Sequence, residues 1–229
     1  MTAEYVKTRA RWEPLYETTQ VKGDGETHPL LSTDDEFANF ERWDETNIGG
    51  VPFSTDPAKK REQMRGNYAR EALKQGLEIE KHLGTNPYKF GLIGSTDTHT
   101  AMSTADDNNF RGKLPDSEPG SKRMTAKMGG NLWQNWRLAG SGYVGVWARQ
   151  NTREEIFAAL MRREVYASTG PRIALRFFGG WEFASSMLDA NQYVEAGYQL
   201  GVPMGGVLPH NPRGKAPTFL IVATKDPNA

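Results

Sequence analysis

A long helix-forming stretch running directly into a short apolar strand constrains the fold of this chain more than any other feature. The helical pattern spans about Pro57 to Leu83, with a cap and first-turn proline in Thr55-Asp56-Pro57 and a C-terminal stop at Gly84. Met64, Tyr68, Ala72, Leu73, Leu77 and Leu83 approximate one apolar face. Phe90–Ile93 then reads as a buried strand, and a helix feeding a buried strand is a unit of α/β proteins. Further along, Asn151-Thr152-x-x-Glu155 is a capping box that opens a helix over Arg153–Arg163, with Ile156, Phe157, Leu160 and Met161 facing inward. Tyr143–Ala148 and Val165–Thr169 read as strands on either side of it.

Near the start, Leu15–Val21 reads as a strand that ends at Gly23-Asp24-Gly25, and Ser32–Glu36 has the hydroxyl and carboxylate groups of a helix start. Residues 101–142 carry few periodic signals and form a long irregular segment, the kind that in compact domains is functional or disordered. From Arg172 onward the pattern changes. Ile173-x-Leu175-x-Phe177 and Phe219-x-Ile221-x-Ala223 alternate, with Gly/Pro turns between, as antiparallel strands with one wet face do. We expect an α/β part over residues 1–171 and a β-rich accessory part over 172–229.

Composition closes several functional classes. Lys+Arg and Asp+Glu both number 28, so no global field recruits nucleic acid or an anionic membrane. There is no cysteine, which removes thiolate metal sites and leaves His, Asp and Glu as ligands. No stretch approaches the roughly 18 apolar residues that span a bilayer, and residues 1–17 contain no apolar signal core. Neither Gly-x-Ser-x-Gly nor a Gly-Lys-Ser/Thr following Gly129-Gly130 or Gly140-Ser141-Gly142 is present, which argues against acyl transfer and nucleotide-cradling chemistry.

The chemistry-bearing segment is KFGLIGSTDTHT, residues 89–100, in which the strand runs into Asp97-x-His99. If the extended backbone continues, residues two apart share one face. A carboxylate oxygen and a neutral imidazole together suit zinc, manganese or iron. His28, after the glycine turn, is the best further ligand among the four histidines. Glu26 is a candidate ligand or general base, and Glu17 a supporting carboxylate. Lys22 and Gln20 are placed to meet an anionic substrate, and Arg111 or Lys113 to clamp a phosphate or sulfate. His82 suits the end of its helix, where a cation complements the dipole, and His210 reads as surface. Trp133, Trp136 and Trp147 read as core or pocket wall.

Four segments carry a family resemblance: YETTQVKGDGETHP (16–29), STDTHTAMSTADDNNFRGK (95–113), GYVGVWARQNTREEIFAALMRREVYASTGPRI (142–173) and GVPMGGVL (201–208). Together they resemble a large bacterial family known chiefly as a domain of unknown function. GLIGSTDTHT itself resembles the last metal motif, Gly-Ser-Asp-x-His, of the PHP superfamily (polymerase and histidinol phosphatase), with Thr96 as an extra residue. The resemblance implies a distorted β/α barrel whose strand ends hold two or three divalent ions around a bridging hydroxide that attacks phosphate esters or related bonds. It matches Asp97 and His99 to the family's closing metal pair and His28 to a preceding histidine ligand; on our reading of the residues Glu26 or Lys22 assists proton transfer or anion binding. Family members are often exported. The opening His-x-His motif, the following Asp-His and the bridging Glu of that superfamily are not found here. The expectation is therefore the C-terminal portion of a metal-dependent hydrolase, a partial barrel with a β-rich extension, weak or silent without its N-terminal half. The alternative is a ligand- or carbohydrate-binding β module with a vestigial α/β remnant.

Overall fold

The computed structural model describes residues 1–228 except 103, 105, 129–132, 139–141, 190, 191, 212 and 213. Gly129-Gly130 and Gly140-Ser141 lie outside the described residues. In chain order the regular elements are α1 (Ala3–Trp12), β1 (Leu15–Gln20), β2 (Gly23–Asp24), α2 (Pro57–Met64), α3 (Ala69–Leu83), β3 (Gly91–Gly94), β4 (Lys127–Met128), β5 (Trp133–Gln134), β6 (Tyr143–Val146), α4 (Arg153–Arg162), β7 (Val165–Ser168), β8 (Ala174–Gly180), α5 (Ser186–Asp189), α6 (Tyr193–Leu200), β9 (Gly201–Pro203) and β10 (Thr218–Thr224). The fold is mixed α/β built from small sheets, ordered β2-β1-β3 and β10-β8-β9, with two-stranded pairs β4-β5 and β6-β7. No closed barrel forms among the described residues. Nor is any helix among them long and apolar enough to cross a membrane.

β1 and β3 run parallel, Leu15 opposite Gly91 and Glu17 opposite Ile93, with a register shift between Glu17 and Thr19. The antiparallel pair β6-β7 packs on the outer side of β3. Gly94 makes that approach possible, since a Cβ there would lie 2.7 Å from the Tyr143 carbonyl oxygen and 2.8 Å from that of Ser168. The carboxyl ends of β1 and β3 therefore lie side by side, and the functional candidates extend from them.

The helix expected over 57–83 is two helices. Asp56 caps α2 as expected, accepting from Ala58 N at 2.9 Å and Lys59 N at 3.1 Å. The chain then breaks at 65–68, where Asn67 Nδ2 donates to the Gln63 carbonyl at 2.8 Å. α3 restarts because the amides of Ala69 and Arg70 donate to the carbonyls of Gly25 and Glu26 at 2.9 and 3.1 Å, tying its first turn to the β2 loop. Met64 and Tyr68 are buried, but Leu73 and Leu77 are 40% and 65% exposed, so the single apolar face does not survive the break.

Two further expectations are corrected. Residues 32–36 form turns rather than a helix start, with Asp35 Oδ1 accepting from Phe37 N at 2.9 Å. In α4 the Thr152 cap is present, its Oγ1 accepting from Glu155 N at 3.3 Å, and Ala159 is buried, but Phe157 and Met161 are exposed.

β8 and β10 are antiparallel as expected, with Phe178 opposite Leu220. The buried parity is the other one. Phe178 and Leu220 face the core, Phe178 edge-on to Tyr198 of α6 at 5.1 Å. Phe219 and Ile221 are exposed, and Phe219 stacks on Phe177 at 5.3 Å on the outer face.

Candidate functional site

Asp97 follows β3 by three residues and its backbone is left-handed, with φ of +49°. The strand geometry that would put Asp97 and His99 on one face is therefore absent. They meet by another route: His99 N donates to the Lys113 carbonyl at 2.8 Å and Thr98 Oγ1 to the Gly112 carbonyl at 3.0 Å, docking the 97–99 turn on the 112–113 segment. Asp97 Oδ1 then lies 3.3 Å from His99 Nε2. Asp and Asn tolerate the left-handed region better than other side chains.

Two lysines converge on this carboxylate. The Lys113 ammonium, buried, touches Asp97 Oδ2, donates to the Asp97 carbonyl at 2.9 Å, and lies 3.0 Å from His99 Nε2. The Lys22 ammonium, from the β1–β2 turn, also pairs with Asp97 Oδ2. Burial and the neighbouring Lys113 ammonium push Lys22 down to about 8, and burial pushes Lys113 down as well. One carboxylate between two ammoniums leaves an excess of positive charge, so one proton is held loosely.

On the β1 side, Ser95 Oγ donates to Glu17 Oε1 and Gln20 Nε2 donates to Glu17 Oε2 at 3.2 Å, while the Lys22 amide donates to Gln20 Oε1 at 2.9 Å. Glu17, Gln20 and Lys22 open onto a cleft of about 630 Å³ that also has Asp24, Trp43, Tyr68 and Trp133 in its wall. Trp43 and Trp133 meet edge to face at 6.1 Å. Burial pushes the Asp24 carboxyl up to about 6, against the amide bonds it accepts from Glu26 and Thr27. Nothing in the sequence pattern singled out Asp24, because its burial comes from the cleft wall and not from the Gly-Asp-Gly turn.

The remaining candidates lie in other clusters. His28 is 1% exposed, with Nε2 3.0 Å from Asp44 Oδ2 and Nδ1 accepting from Leu30 N at 3.1 Å, so both ring nitrogens are engaged. Burial lowers its pKa against the pull of Asp44. Burial alone would raise the Asp44 carboxyl, but the Lys60 ammonium at 2.7 Å, His28 and the Arg42 guanidinium at 3.2 Å outweigh it and hold it low. Glu26 accepts from Arg70 at 2.6 and 2.9 Å. Arg111 is exposed, 3.9 Å from Glu118. His82 and His210 are exposed.

The metal expected from the resemblance can be tested against these donors. Asp97 Oδ2 and His99 Nε2 converge on one cation position, which the Lys113 ammonium fills. Two donors fall short of the three protein ligands typical of catalytic zinc. Among the described residues, no group of three or more His, Asp or Glu side chains is placed to hold an ion. The pair fits one side of a metal site and needs further donors to complete it.

No curated protein and no solved structure matches the chain. A family model does match, over residues 1–229. The chain belongs to that family, described as a protein of unknown function (DUF3604).

Proposed function

We propose that this chain is part of a metal-dependent hydrolase of the PHP type acting on anionic esters, with phosphate or sulfate esters as the substrate class. The observation that carries the reading is the meeting of Asp97 and His99 with Lys22 and Lys113 at the joined carboxyl ends of β1 and β3. Asp97 and His99 would hold one side of a zinc, manganese or iron ion, whose chemistry is to supply an activated water. With the ion taking the position the Lys113 ammonium now fills, Lys113 and Lys22 would turn to the ester's anionic oxygens and orient them, and Lys22, held near 8, can pass a proton to the leaving oxygen. Asp24 in the cleft wall, held near 6, is a second proton carrier.

On this reading the remaining metal donors come from another segment or a partner chain that extends the β2-β1-β3 sheet into a fuller β/α wall.

The test is elemental analysis of protein purified without chelators, beside D97A and H99A, followed by a screen of phosphate and sulfate esters. Metal and ester hydrolysis lost together in both variants is the expected result. Unchanged metal content and activity in the double variant would overturn the reading. The exposed Phe219 ring, stacked on half-buried Phe177 across β8 and β10, favours a second reading, a carbohydrate-binding face. Glycan binding lost in F219A, with no metal in any variant, would select it.

A further inference from the structure

A second cavity, of about 840 Å³, lies at the C-terminal end of α4 and is lined by Arg149, Arg162, Arg163 and Arg176 together with Trp147 and Tyr198. Glu164 is the one carboxylate among its lining residues. That carboxylate is buried and fully committed: it accepts from the Tyr198 hydroxyl, and lies 3.4 Å from Arg162 Nη2 and 3.8 Å from Arg176 Nη1. The Arg176 guanidinium is fixed in place, stacked 3.3 Å from the centre of the Trp147 ring and donating to the Tyr198 hydroxyl at 3.0 Å. Trp147 is itself anchored, its Nε1 donating to the Leu175 carbonyl at 2.8 Å.

Two arginines are left with unspent capacity. Arg163 donates Nη1 to the Lys89 carbonyl, but its Nε is buried and has no hydrogen-bond partner among the described residues. Arg149 is exposed at the rim and makes no ion pair among them. Four guanidiniums around one carboxylate leave the cavity with an excess of positive charge, which an anion offsets. Planar guanidinium forks match the paired oxygens of phosphate and sulfate. The volume suits a small molecule rather than a bare ion.

We propose that this cavity binds a small ligand carrying a phosphate or sulfate group, at a site separate from the Lys22–Asp97–Lys113 cluster. Arg149 at the rim binds the charge, Arg163 adds to the positive field of the lining, and Arg176, braced by Glu164 and Trp147, fixes the orientation.

The test titrates the whole chain calorimetrically with inorganic phosphate, inorganic sulfate and phenyl phosphate. Variants R149E, K22A and K22A/R149E run alongside, with circular dichroism to check folding. The binding that remains in K22A should weaken at least about tenfold in K22A/R149E, as expected for loss of a charge-assisted bond plus added repulsion, while any component lost in K22A itself belongs to the Lys22–Asp97–Lys113 cluster. If R149E fails to fold, R149M retains the test with a loss of about threefold or more. Phenyl phosphate binding more tightly than phosphate would identify an aryl ester as occupant, and equal affinities a free anion. Affinity of the component remaining in K22A unchanged by R149E or R149M, no binding left in K22A, or no binding of any probe at millimolar concentration would overturn the proposal.

Discussion

Replacing His28 by alanine separates a structural histidine from a metal ligand. Its ring is 1% exposed, packs 5.7 Å from the Tyr68 ring, and bridges Asp44 and the Leu30 amide. The bond to the Asp44 carboxylate contributes about 1.5–3 kcal/mol. The vacated volume adds about 1.5–2 kcal/mol. H28A should therefore lose about 3–5 kcal/mol, or roughly 10 °C in melting temperature for a chain of this size. The pH dependence carries a second signature. Burial holds the folded pKa below the ordinary 6.5, so the unfolded chain binds the extra proton. The His28 contribution is complete above 6.5 and is lost as pH falls below it. Urea denaturation of wild type and H28A from pH 5 to 8 measures both effects, with metal content determined on the same samples. A loss under about 1 kcal/mol, accompanied by loss of a bound divalent ion, would refute the structural role.

Phe178→Ala should cost about 3–5 kcal/mol and Phe219→Ala less than about 1 kcal/mol in the same assay, and equal costs would mean the buried face of β8 and β10 is misassigned. Asp24, raised from 3.8 to about 6, favours the protonated fold, so its contribution is present below 3.8 and fades as pH rises to about 6. Asp24→Asn should remove that slope, and a difference curve flat across this window would exclude the raised carboxyl. Gly94→Ala should destabilise by about 1–3 kcal/mol through contact with two backbone carbonyls that side-chain movement does not relieve. Gly66→Ala, which meets nothing within 4 Å, should instead stabilise by about 0.4–1 kcal/mol, so thermal shifts of opposite sign are expected.

Local chemistry in the sequence located β1, β3, β6, β7, β8 and β10, the caps of α2 and α4 and the ends of α3 and α4, because each depends on neighbours a few residues away. What it missed depended on distant ones. The α2–α3 break is set by the carbonyls of Gly25 and Glu26, more than 40 residues upstream of the amides they accept. The parity of β8 and β10 is set by α6, whose Gly197 and Tyr198 receive Phe178. β10 carries apolar residues on both alternations, and in β8 the buried Phe178 shares its alternation with Arg176 while Leu175 and Phe177 share the other, so periodicity pointed to the wrong face. Asp97, His99, Lys22, Lys113 and Gln20 were each legible as chemistry-bearing residues, and the fold does gather them. His28 was not separable from them by sequence, since only the fold shows that Asp44 occupies its ring. The arginine cavity takes Trp147, Arg149 and Arg162–Glu164 from one segment but closes only when β8 and α6 bring Arg176 and Tyr198 to them, which the sequence does not show.

The backbone at Asp97 shows how much the cluster depends on one carboxylate. A non-glycine residue in the left-handed region costs about 1–2 kcal/mol, less for Asp than for most. Glycine would hold φ of +49° at no such cost, and the turn would still be docked by the His99 amide and the Thr98 hydroxyl. What glycine could not do is sit between two ammoniums, one of them buried. Each charge-assisted bond from Lys22 and Lys113 contributes about 1.5–3 kcal/mol, so together they outweigh the strain. The converse also holds. Without the carboxylate the lysines would repel each other in a partly dry site, with desolvation costs that the turn does not offset. A scaffold that needed only a turn would bring neither lysine here. The strain is explained by the charge it positions, and that charge lies where β1 and β3 end together.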